Sequence, residues 1–177
     1  MHRVLLISGS TRGASSNSAV VRTAAVVAPP QIEATVYDGL SRLPHFNPDD
    51  DIEPLPDEVA ALRNSIAGAD AVLICTPEYA GTLPGSMKNL LDWTVGGTQM
   101  TDKPVAWVNA AADERRGHGA IATLATVLGY VQARVVDIAC RHVPVGPGSV
   151  GADGLITDEK TRAQLRAVLA DLVAAAH

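Results

Sequence analysis

Hydrophobic residues along the chain form short runs that alternate with longer segments interrupted by polar residues. Five short runs have the length and Val/Ile/Leu content of buried strands: 4–7, 32–37, 71–75, 105–108 and 134–140. Five longer segments have apolar residues at helical spacing: 17–28, 57–67, 84–93, 120–130 and 158–176. This alternation predicts an α/β fold, because right-handed crossovers then produce one parallel sheet with helices on both faces.

Turn and cap residues predict where several of these elements begin and end. Gly68 is a candidate C-cap of the second helix, and Pro84 suits the first position of the third. Thr157 or Asp158 is expected to cap the N-terminus of the last helix. Residues 146–157 are rich in glycine, and we interpret them as a surface turn.

Composition narrows the class of protein. The 177 residues suffice for a single domain, 1–177, with a substantial core, and the net charge of -5 argues against nucleic acid or an anionic membrane as the main partner. Cys75 and Cys140 lie far apart in apolar runs, which indicates buried thiols in a reducing compartment and no metal cluster. No run reaches the roughly 20 apolar residues of a membrane helix, and the first ends at Gly9. We therefore predict a cytoplasmic protein.

The loop after the first predicted strand is unusually rich in hydroxyl groups. It has the sequence SGSTRGASSNS and leads directly into a helix, whose free N–H groups favour an anion. Neither GxxxxGK[ST] nor GxGxxG is present, so a nucleoside triphosphate loop and a Rossmann dinucleotide loop are excluded. The loop suits a phosphate monoester, although serines that merely cap a helix remain an alternative. The candidate phosphate ligands are Ser10, Arg12, Ser15, Ser16, Asn17 and Ser18.

A second informative stretch follows the third predicted strand. Its sequence is TPEYAGTLPGSMKNLLDW, and it begins at the carboxyl edge of the sheet, where open α/β sheets bind ligands. Gly81 and Gly85 allow close approach of the backbone to a flat ligand, and Tyr79 is the aromatic residue placed to stack on one. The predicted site therefore joins a phosphate loop to a surface for a flat ring.

Together the two stretches resemble the NADPH-dependent FMN reductase family, flavodoxin-like oxidoreductases that include quinone, azo and chromate reductases. The first family pattern is roughly GSxRxxSxN, and the second is PEYNxSxPGxLKNxIDW. The resemblance in element order covers essentially the whole chain. The matching residues are Gly9, Ser10, Arg12, Ser15 and Asn17 in the first stretch, and Pro77, Glu78, Tyr79, Pro84, Gly85, Lys88, Asn89, Asp92 and Trp93 in the second.

The resemblance implies a three-layer α/β/α sandwich with a five-stranded parallel sheet in the order 2-1-3-4-5. It also implies bound FMN, with the phosphate on the first loop and the isoalloxazine ring on the second. Residues 88–93 would be structural or part of a dimer surface. The residues implied for FMN are Ser10, Arg12, Ser15, Ser16, Asn17, Pro77, Glu78, Tyr79, Ala80, Gly81, Ala110 and Ala111.

The chain departs from the family pattern in two loops. Ala80 replaces the family asparagine after the tyrosine, so one polar contact to the ring is lost or supplied by backbone. The loop after the fourth strand has the sequence NAAADERRGHGA, where the family often has serine and glycine. Arg115, Arg116 and His118 are candidates for the phosphates of the nicotinamide nucleotide, and a merely solvated loop is the alternative.

The implied activity is ping-pong hydride transfer from NADPH or NADH to the flavin, and then to a quinone, azo compound, metal oxyanion or free flavin. No protein residue is expected to act as a catalytic acid or nucleophile. An electron-carrier flavodoxin and a flavin-free binding module are the alternatives. Few aromatic residues and the basic Arg115 and Arg116 favour an enzyme with an exposed ring. The resemblance also implies a homodimer or homotetramer.

Overall fold

A computed structural model describes residues 1–146 and 148–176. They form an α/β structure in which strands and helices alternate. The strands are β1 His2–Ser8, β2 Ile32–Tyr37, β3 Ala71–Cys75, β4 Pro104–Asn109, β5 Arg134–Val135 and β6 Arg141–His142. The α-helices are α1 Ser16–Val27, α2 Asp57–Gly68, α3 Gly85–Asp92, α4 His118–Tyr130 and α5 Glu159–Ala174. Two short 3₁₀ helices cover Pro48–Asp50 and Asp137–Ala139.

All strands of the sheet run parallel in the order β2-β1-β3-β4-β5, and β6 also pairs with β4. This confirms the predicted order. Alternate residues of each strand face opposite layers. Val4 and Leu6 of β1 pack in a core with α1 and α5, whereas Leu5 and Ile7 pack in a second core with α2, α3 and α4. The protein is therefore a three-layer sandwich of the predicted flavodoxin-like type.

The predicted fifth strand, 134–140, is wrong as a single element. In the sheet, Val105 of β4 pairs with Val135, and Val108 of β4 pairs with Arg141. Three residues of β4 therefore lie opposite six residues of the neighbouring chain. The excess forms the 3₁₀ helix at Asp137–Ala139, in which Asp137 O accepts a hydrogen bond from Cys140 N. Aspartate is depleted in strands, and Asp137 interrupts the apolar run at this turn.

Several predicted ends also differ in detail. Gly68 lies inside α2 and Ala69 is the C-cap, and Pro84 is the N-cap of α3 rather than its first residue. Asp158 caps α5 as predicted, because its carboxylate accepts a 2.8 Å hydrogen bond from the backbone N–H of Thr161.

Cys140 is only half-buried, which corrects the prediction that both thiols are buried. No helix in the described part of the chain is long and apolar enough to cross a bilayer.

Residues 38–56, here called the clamped segment, are held to α3 by side chains of the second sequence motif. Asn89 Oδ1 accepts a 2.7 Å hydrogen bond from Phe46 N, and Asn89 Nδ2 donates to Pro44 O at 2.9 Å. Trp93 Nε1 donates to the same carbonyl at 2.8 Å, and the Trp93 ring contacts Phe46 edge to face with centroids 5.0 Å apart. This part of the motif is structural, which is one of the two roles expected for residues 88–93.

A buried ion pair fixes the same segment from α2. Arg63 Nη2 lies 2.7 Å from Asp51 Oδ1, and both side chains are about nine-tenths buried. Arg63 Nε also donates to Trp93 O at 2.9 Å. The clamped segment is thus tied to both α2 and α3, although it contains no strand or α-helix of its own.

Candidate functional site

The largest group of predicted site residues meets at the carboxyl edge of the sheet, above β1, β3 and β4. The strand order changes direction between β1 and β3, and this switch point is where doubly wound sheets bind ligands. A cavity of about 510 Å³ opens there. Among the described residues it is lined by Ser16, Asn17, Thr76, Pro77, Glu78, Asn109, Ala110, Ala111, Ala112, Arg116, Gly117, Val145 and Gly146.

Residues 9–15 form the β1–α1 loop, which leads into Ser16 and Asn17 in the lining of this cavity. Ser15 is the N-cap of α1, and its Oγ accepts a 3.2 Å hydrogen bond from Asn17 N. Ser10 Oγ accepts from Arg12 N at 3.2 Å. Ser15 therefore has the capping role that was the alternative, whereas Ser10 stabilises the loop, and both serines use their oxygens as acceptors. Each hydroxyl hydrogen is left as a donor for a ligand.

The chemistry of this loop fits a phosphate. The free N–H groups at the start of α1 and the serine hydroxyls are donors, and Arg12 is exposed with no carboxylate partner in the described part of the chain. Ser10 and Arg12 line an adjacent cavity of about 240 Å³ between the loop and β2 rather than the large cavity. Ser18 is largely buried and bonds to Ser8 Oγ at 3.1 Å, and it lines this same adjacent cavity.

Asn17 and Cys75 join the β1–α1 loop to the end of β3. The Cys75 thiol donates a hydrogen bond to Asn17 Oδ1 at 3.2 Å. Burial raises the pKa of Cys75 far above its ordinary value, so the group stays protonated as a donor. Asn17 lines the cavity, and its amide N–H groups are left as donors once Oδ1 is engaged.

Glu78 connects the loop after β3 to α4. Its Oε2 accepts hydrogen bonds from the backbone N–H groups of Gly119 at 2.7 Å and Ala120 at 3.2 Å. A carboxylate at this position satisfies free N–H groups of the first turn and interacts favourably with the helix dipole. Glu78 therefore positions the cavity wall with its side chain, and Pro77 precedes it in the lining.

Residues 79–82 form a tight hairpin outside the lining of the large cavity. Tyr79 and Thr82 exchange both backbone hydrogen bonds, at 3.0 and 3.1 Å. Thr82 Oγ1 contacts Thr123 Oγ1 at 2.8 Å, and a Cβ at Gly119 would lie only 2.0 Å from Gly81 O. The hairpin thus packs closely on α4. Tyr79, with 55% of its surface exposed, and its neighbours in the turn lie outside the lining of the cavity.

The two central residues of this hairpin have positive φ angles, 50° for Ala80 and 76° for Gly81. A two-residue hairpin with two positive φ angles has the geometry of a type I′ turn, in which asparagine followed by glycine is preferred. The asparagine of the family pattern is thus the residue that this backbone favours. Ala80 is strained there because its Cβ disfavours the left-handed region.

We expect Ala80→Asn to raise the free energy of unfolding by about 1 kcal/mol, because asparagine tolerates the left-handed conformation. Urea denaturation followed by circular dichroism would measure the change. Ala152→Asn, in an exposed turn where φ is not positive, is the matched control and should have little effect. A loss of stability in Ala80→Asn would contradict this account of the turn.

Asn109 at the end of β4 shapes the third wall of the cavity. Its Oδ1 accepts from Ala111 N at 3.1 Å, and its Nδ2 donates to Arg116 O at 2.8 Å. Gly117, at φ 87°, packs so close to Asn109 that a Cβ would lie 2.5 Å from Oδ1. These contacts close the loop into a compact turn and present Ala110 and Ala111 to the cavity.

The candidate phosphate ligands of this loop line two different cavities, with Arg115 and His118 in one and Arg116 in the other. Arg115 is bound to Asp113 at 2.9 Å, and this ion pair together with a backbone hydrogen bond lowers the pKa of Asp113. Arg116 lines the large cavity. His118 begins α4 and lines a neighbouring cavity of about 380 Å³ with His142, whose Nε2 lies 2.6 Å from Ala111 O. Of the three candidates for nucleotide phosphates, Arg116 is the one beside the predicted flavin site.

Sequence reasoning missed several residues of the site. Asn109 could have been identified from the sequence, because it is a polar residue at the end of an apolar strand. Val145 and Gly146 could not have been identified from the sequence. They follow β6, and it is the unpredicted pairing of β6 with β4 that brings them to the cavity. Thr76 opens the second sequence stretch but was assigned no role, yet it lines the cavity and packs against Gly9, where a Cβ would lie 2.2 Å from Thr76 Oγ1.

Residues 2–145 match the family model described as NADPH-dependent FMN reductase. The chain is 30% identical over 162 residues to the NAD(P)H-dependent FMN reductase of Pseudomonas aeruginosa, covering 90% of this chain and 87% of that protein. It is 29% identical over 174 residues to a quinone reductase of Pseudomonas putida, covering 94% and 90%. The solved structure of FerB, a flavoenzyme NAD(P)H:(acceptor) oxidoreductase from Paracoccus denitrificans, superposes with a TM-score of 0.75 at 28% identity, covering 98% of this chain and 96% of that one.

Proposed function

The chain belongs to the NADPH-dependent FMN reductase family, and we propose that its large cavity holds FMN for hydride transfer from NAD(P)H to a quinone-type acceptor. It is an NAD(P)H-dependent oxidoreductase of the flavodoxin-like fold, with FMN as the family's cofactor. The observation that carries the proposal is a cavity with small side chains in its lining that reaches Ser16 and Asn17, directly after the hydroxyl-rich β1–α1 loop. FMN, when bound, accepts a hydride and passes electrons onward.

Each wall of the cavity has a proposed task. The β1–α1 loop beside the cavity binds the phosphate through Ser10, Arg12 and Ser15, and Ser16 and Asn17 complete this site from the cavity lining. Pro77 and Glu78 present backbone to one edge of the ring. Ala110 and Ala111 allow close approach from the other side, because a methyl side chain leaves the backbone accessible.

The exposed hairpin has a different proposed task from the one the motif suggests. Tyr79, Ala80 and Gly81 lie outside the lining of the large cavity, so they contact the ring or a second substrate only from outside it. Their packing on α4 supports a role in holding Glu78 and the first turn of α4 in place. The replacement of the family asparagine by Ala80 therefore changes the stability of the turn more directly than the contacts to the flavin ring.

Reduction of bound flavin by NADPH under anaerobic conditions tests the proposal and separates an enzyme from an electron carrier. Purified protein reconstituted with FMN should lose its absorbance near 450 nm on mixing, and a quinone should restore it. Parallel assays with NADH, an azo dye, a metal oxyanion and free FMN would identify the nucleotide and the acceptor. Flavin that binds but stays oxidised with both nucleotides would overturn the reductase proposal.

Arg12→Ala is expected to weaken FMN binding by about 1.5–3 kcal/mol, the scale of a hydrogen bond to a charged group. Fluorescence quenching of FMN by apoprotein measures the affinity, and riboflavin, which lacks the phosphate, is the matched ligand. Arg12→Ala should leave riboflavin binding unchanged. Equal losses for FMN and riboflavin would remove Arg12 from the phosphate site. Arg134→Ala, an exposed arginine on β5, controls for the lost charge.

The remaining features of the proposal concern assembly and location. The reductase family and the quinone reductase relative support a nicotinamide nucleotide and a small acceptor as substrates. The strands of the described part of the chain form one sheet, which supports a single domain.

We also propose a cytoplasmic homodimer or homotetramer. Free cysteines support a reducing compartment, and sedimentation showing only monomer at micromolar concentration would contradict the assembly.

A further inference from the structure

The residues at and after β6 hold the loop that joins β4 to α4, residues 110–117. Val143 N donates to Asn109 O at 2.9 Å, and Val145 N donates to Ala110 O at 3.2 Å. These backbone hydrogen bonds continue the pairing of β6 with β4. They fix two successive carbonyl groups at the point where the loop enters the wall of the large cavity.

The next carbonyl group along the loop is bonded to a side chain instead. His142 Nε2 lies 2.6 Å from Ala111 O, and because a carbonyl oxygen can only accept, Nε2 carries the proton. The N–H of Ala111 donates to Asn109 Oδ1 at 3.1 Å. Side chains therefore engage both backbone polar groups of Ala111, and the imidazole holds one side of a residue that lines the large cavity.

The protonation state of His142 determines the strength of this bond. A neutral imidazole donates from Nε2 in one of its two tautomers, whereas an imidazolium donates from both nitrogens. The bond from an imidazolium is charge-assisted and therefore the stronger one. Histidine is the side chain that ordinarily changes charge between pH 5 and 8. As the pH falls, the hold on Ala111 O strengthens and a positive charge forms behind the cavity wall.

Charged and titratable groups surround His142 on the loop, on α4 and on β6 itself. They are Asp113, Glu114, Arg115 and Arg116 of the loop, His118 of α4, and Arg141 of β6 with its α5 partner Asp171. The pKa of Asp113 is lowered chiefly by its hydrogen bonds with Arg115, and to a smaller extent by the charges of Arg116 and His142. The side chains that β4 contributes beside His142 are uncharged. The imidazole is half-buried in an open cavity, so water can exchange its proton.

We propose that His142 is a positioning residue of the reductase site, which holds the Ala111 carbonyl through Nε2–H and favours reduction of the bound flavin when it is protonated. This inference rests on the proposed function, in which the large cavity holds FMN. The hydride and its two electrons come from the nicotinamide nucleotide, and their transfer brings one negative charge to the ring. An imidazolium behind Ala111 attracts that charge, and a neutral imidazole does not. His142 keeps its proton throughout.

Two substitutions at position 142 separate the hydrogen bond from the charge. His142→Gln retains an amide N–H donor but cannot become charged, and His142→Ala removes both the donor and the charge. At pH 8, His142→Ala should weaken FMN binding about tenfold, the effect of losing one hydrogen bond that shapes the wall. His142→Gln should stay within about twofold of the wild type. Fluorescence quenching of FMN by the apoprotein measures both affinities.

The midpoint potential of bound FMN, measured by spectroelectrochemical titration, tests the charge. At pH 5 the wild-type equilibrium should favour reduced flavin about tenfold more than that of His142→Gln, which raises the potential by about 30 mV for a two-electron couple. At pH 9 the imidazole is uncharged, so the difference should vanish. His45→Gln, at an exposed histidine of the clamped segment, is the matched control and should follow the wild type at every pH.

The contact itself can be followed without flavin. In carbon-13 NMR spectra of the apoprotein, the carbonyl resonance of Ala111 should shift between pH 5 and 9 as His142 titrates. The same resonance should stay fixed in His142→Gln, because an amide donor does not titrate in this range.

The inference is overturned if His142→Gln keeps the wild-type difference in potential between pH 5 and 9, since His118 or the loop carboxylates would then supply the effect. It is also overturned if the Ala111 resonance does not follow the titration. Should His142→Ala fail to fold, the glutamine variant and the spectra decide. Failure of the proposed function gives a different pattern: the wild type binds no FMN and the effect on reduction fails with it, while the apoprotein spectra decide whether His142 holds Ala111.

Discussion

Replacing Trp93 with alanine is expected to lower the free energy of unfolding by about 3–5 kcal/mol, the usual cost of truncating a buried large aromatic residue. Trp93 is fully buried, its ring packs against Phe46, and its Nε1 donates to Pro44 O at 2.8 Å. Truncation leaves a cavity in the core between the sheet and α3, and it leaves the Pro44 carbonyl with one donor fewer. Urea denaturation followed by circular dichroism measures the loss.

Trp93→Phe is the matched control for this variant. It retains an aromatic ring against Phe46 but removes the N–H donor, so the loss should be only about 1–2 kcal/mol. Trp93 does not line the large cavity, so the folded variant should bind FMN with unchanged affinity. A smaller loss of stability in Trp93→Ala than in Trp93→Phe would contradict this account. A loss of FMN affinity in the folded variant would place Trp93 in the site.

Periodicity predicted most of the fold because burial imposes it. β3 is buried along its whole length and has a wholly apolar sequence, while α1 and α5 cover one face of the sheet with regularly spaced apolar residues. The region 134–140 could not be predicted in this way. Its apolar residues satisfy a strand pattern, but Asp137 begins a 3₁₀ helix there. The pattern does not show which residues form backbone hydrogen bonds with β4.

The candidate site divides in a similar manner. Asn17, Pro77 and Glu78 line the cavity as predicted, because residues that directly follow parallel strands gather at one edge of the sheet. The contact of Tyr79 with the ring stays a prediction: Tyr79 lies outside the lining of this cavity, in a hairpin that packs on α4.

Arg63→Met is expected to lower the free energy of unfolding by about 3–5 kcal/mol, because it leaves a buried carboxylate without its partner. Arg63 Nη2 lies 2.7 Å from Asp51 Oδ1, and about a tenth of each side chain is exposed. Methionine retains much of the aliphatic volume, so the loss reports mainly the charge. The measurement is again urea denaturation. Lys88→Met, which breaks an exposed pair with Asp92, should cost less than about 1 kcal/mol.

The double variant Arg63→Met, Asp51→Asn separates the ion pair from packing. Because the unpaired carboxylate is then absent, the double variant should be more stable than Arg63→Met alone. Single and double variants of equal stability would show that the guanidinium acts through its hydrogen bond to Trp93 O instead. Since Arg63 and Trp93 hold the same clamped segment, we expect the combined loss in Arg63→Met, Trp93→Ala to fall short of the two separate losses. Additive losses would mean that α2 and α3 hold that segment independently.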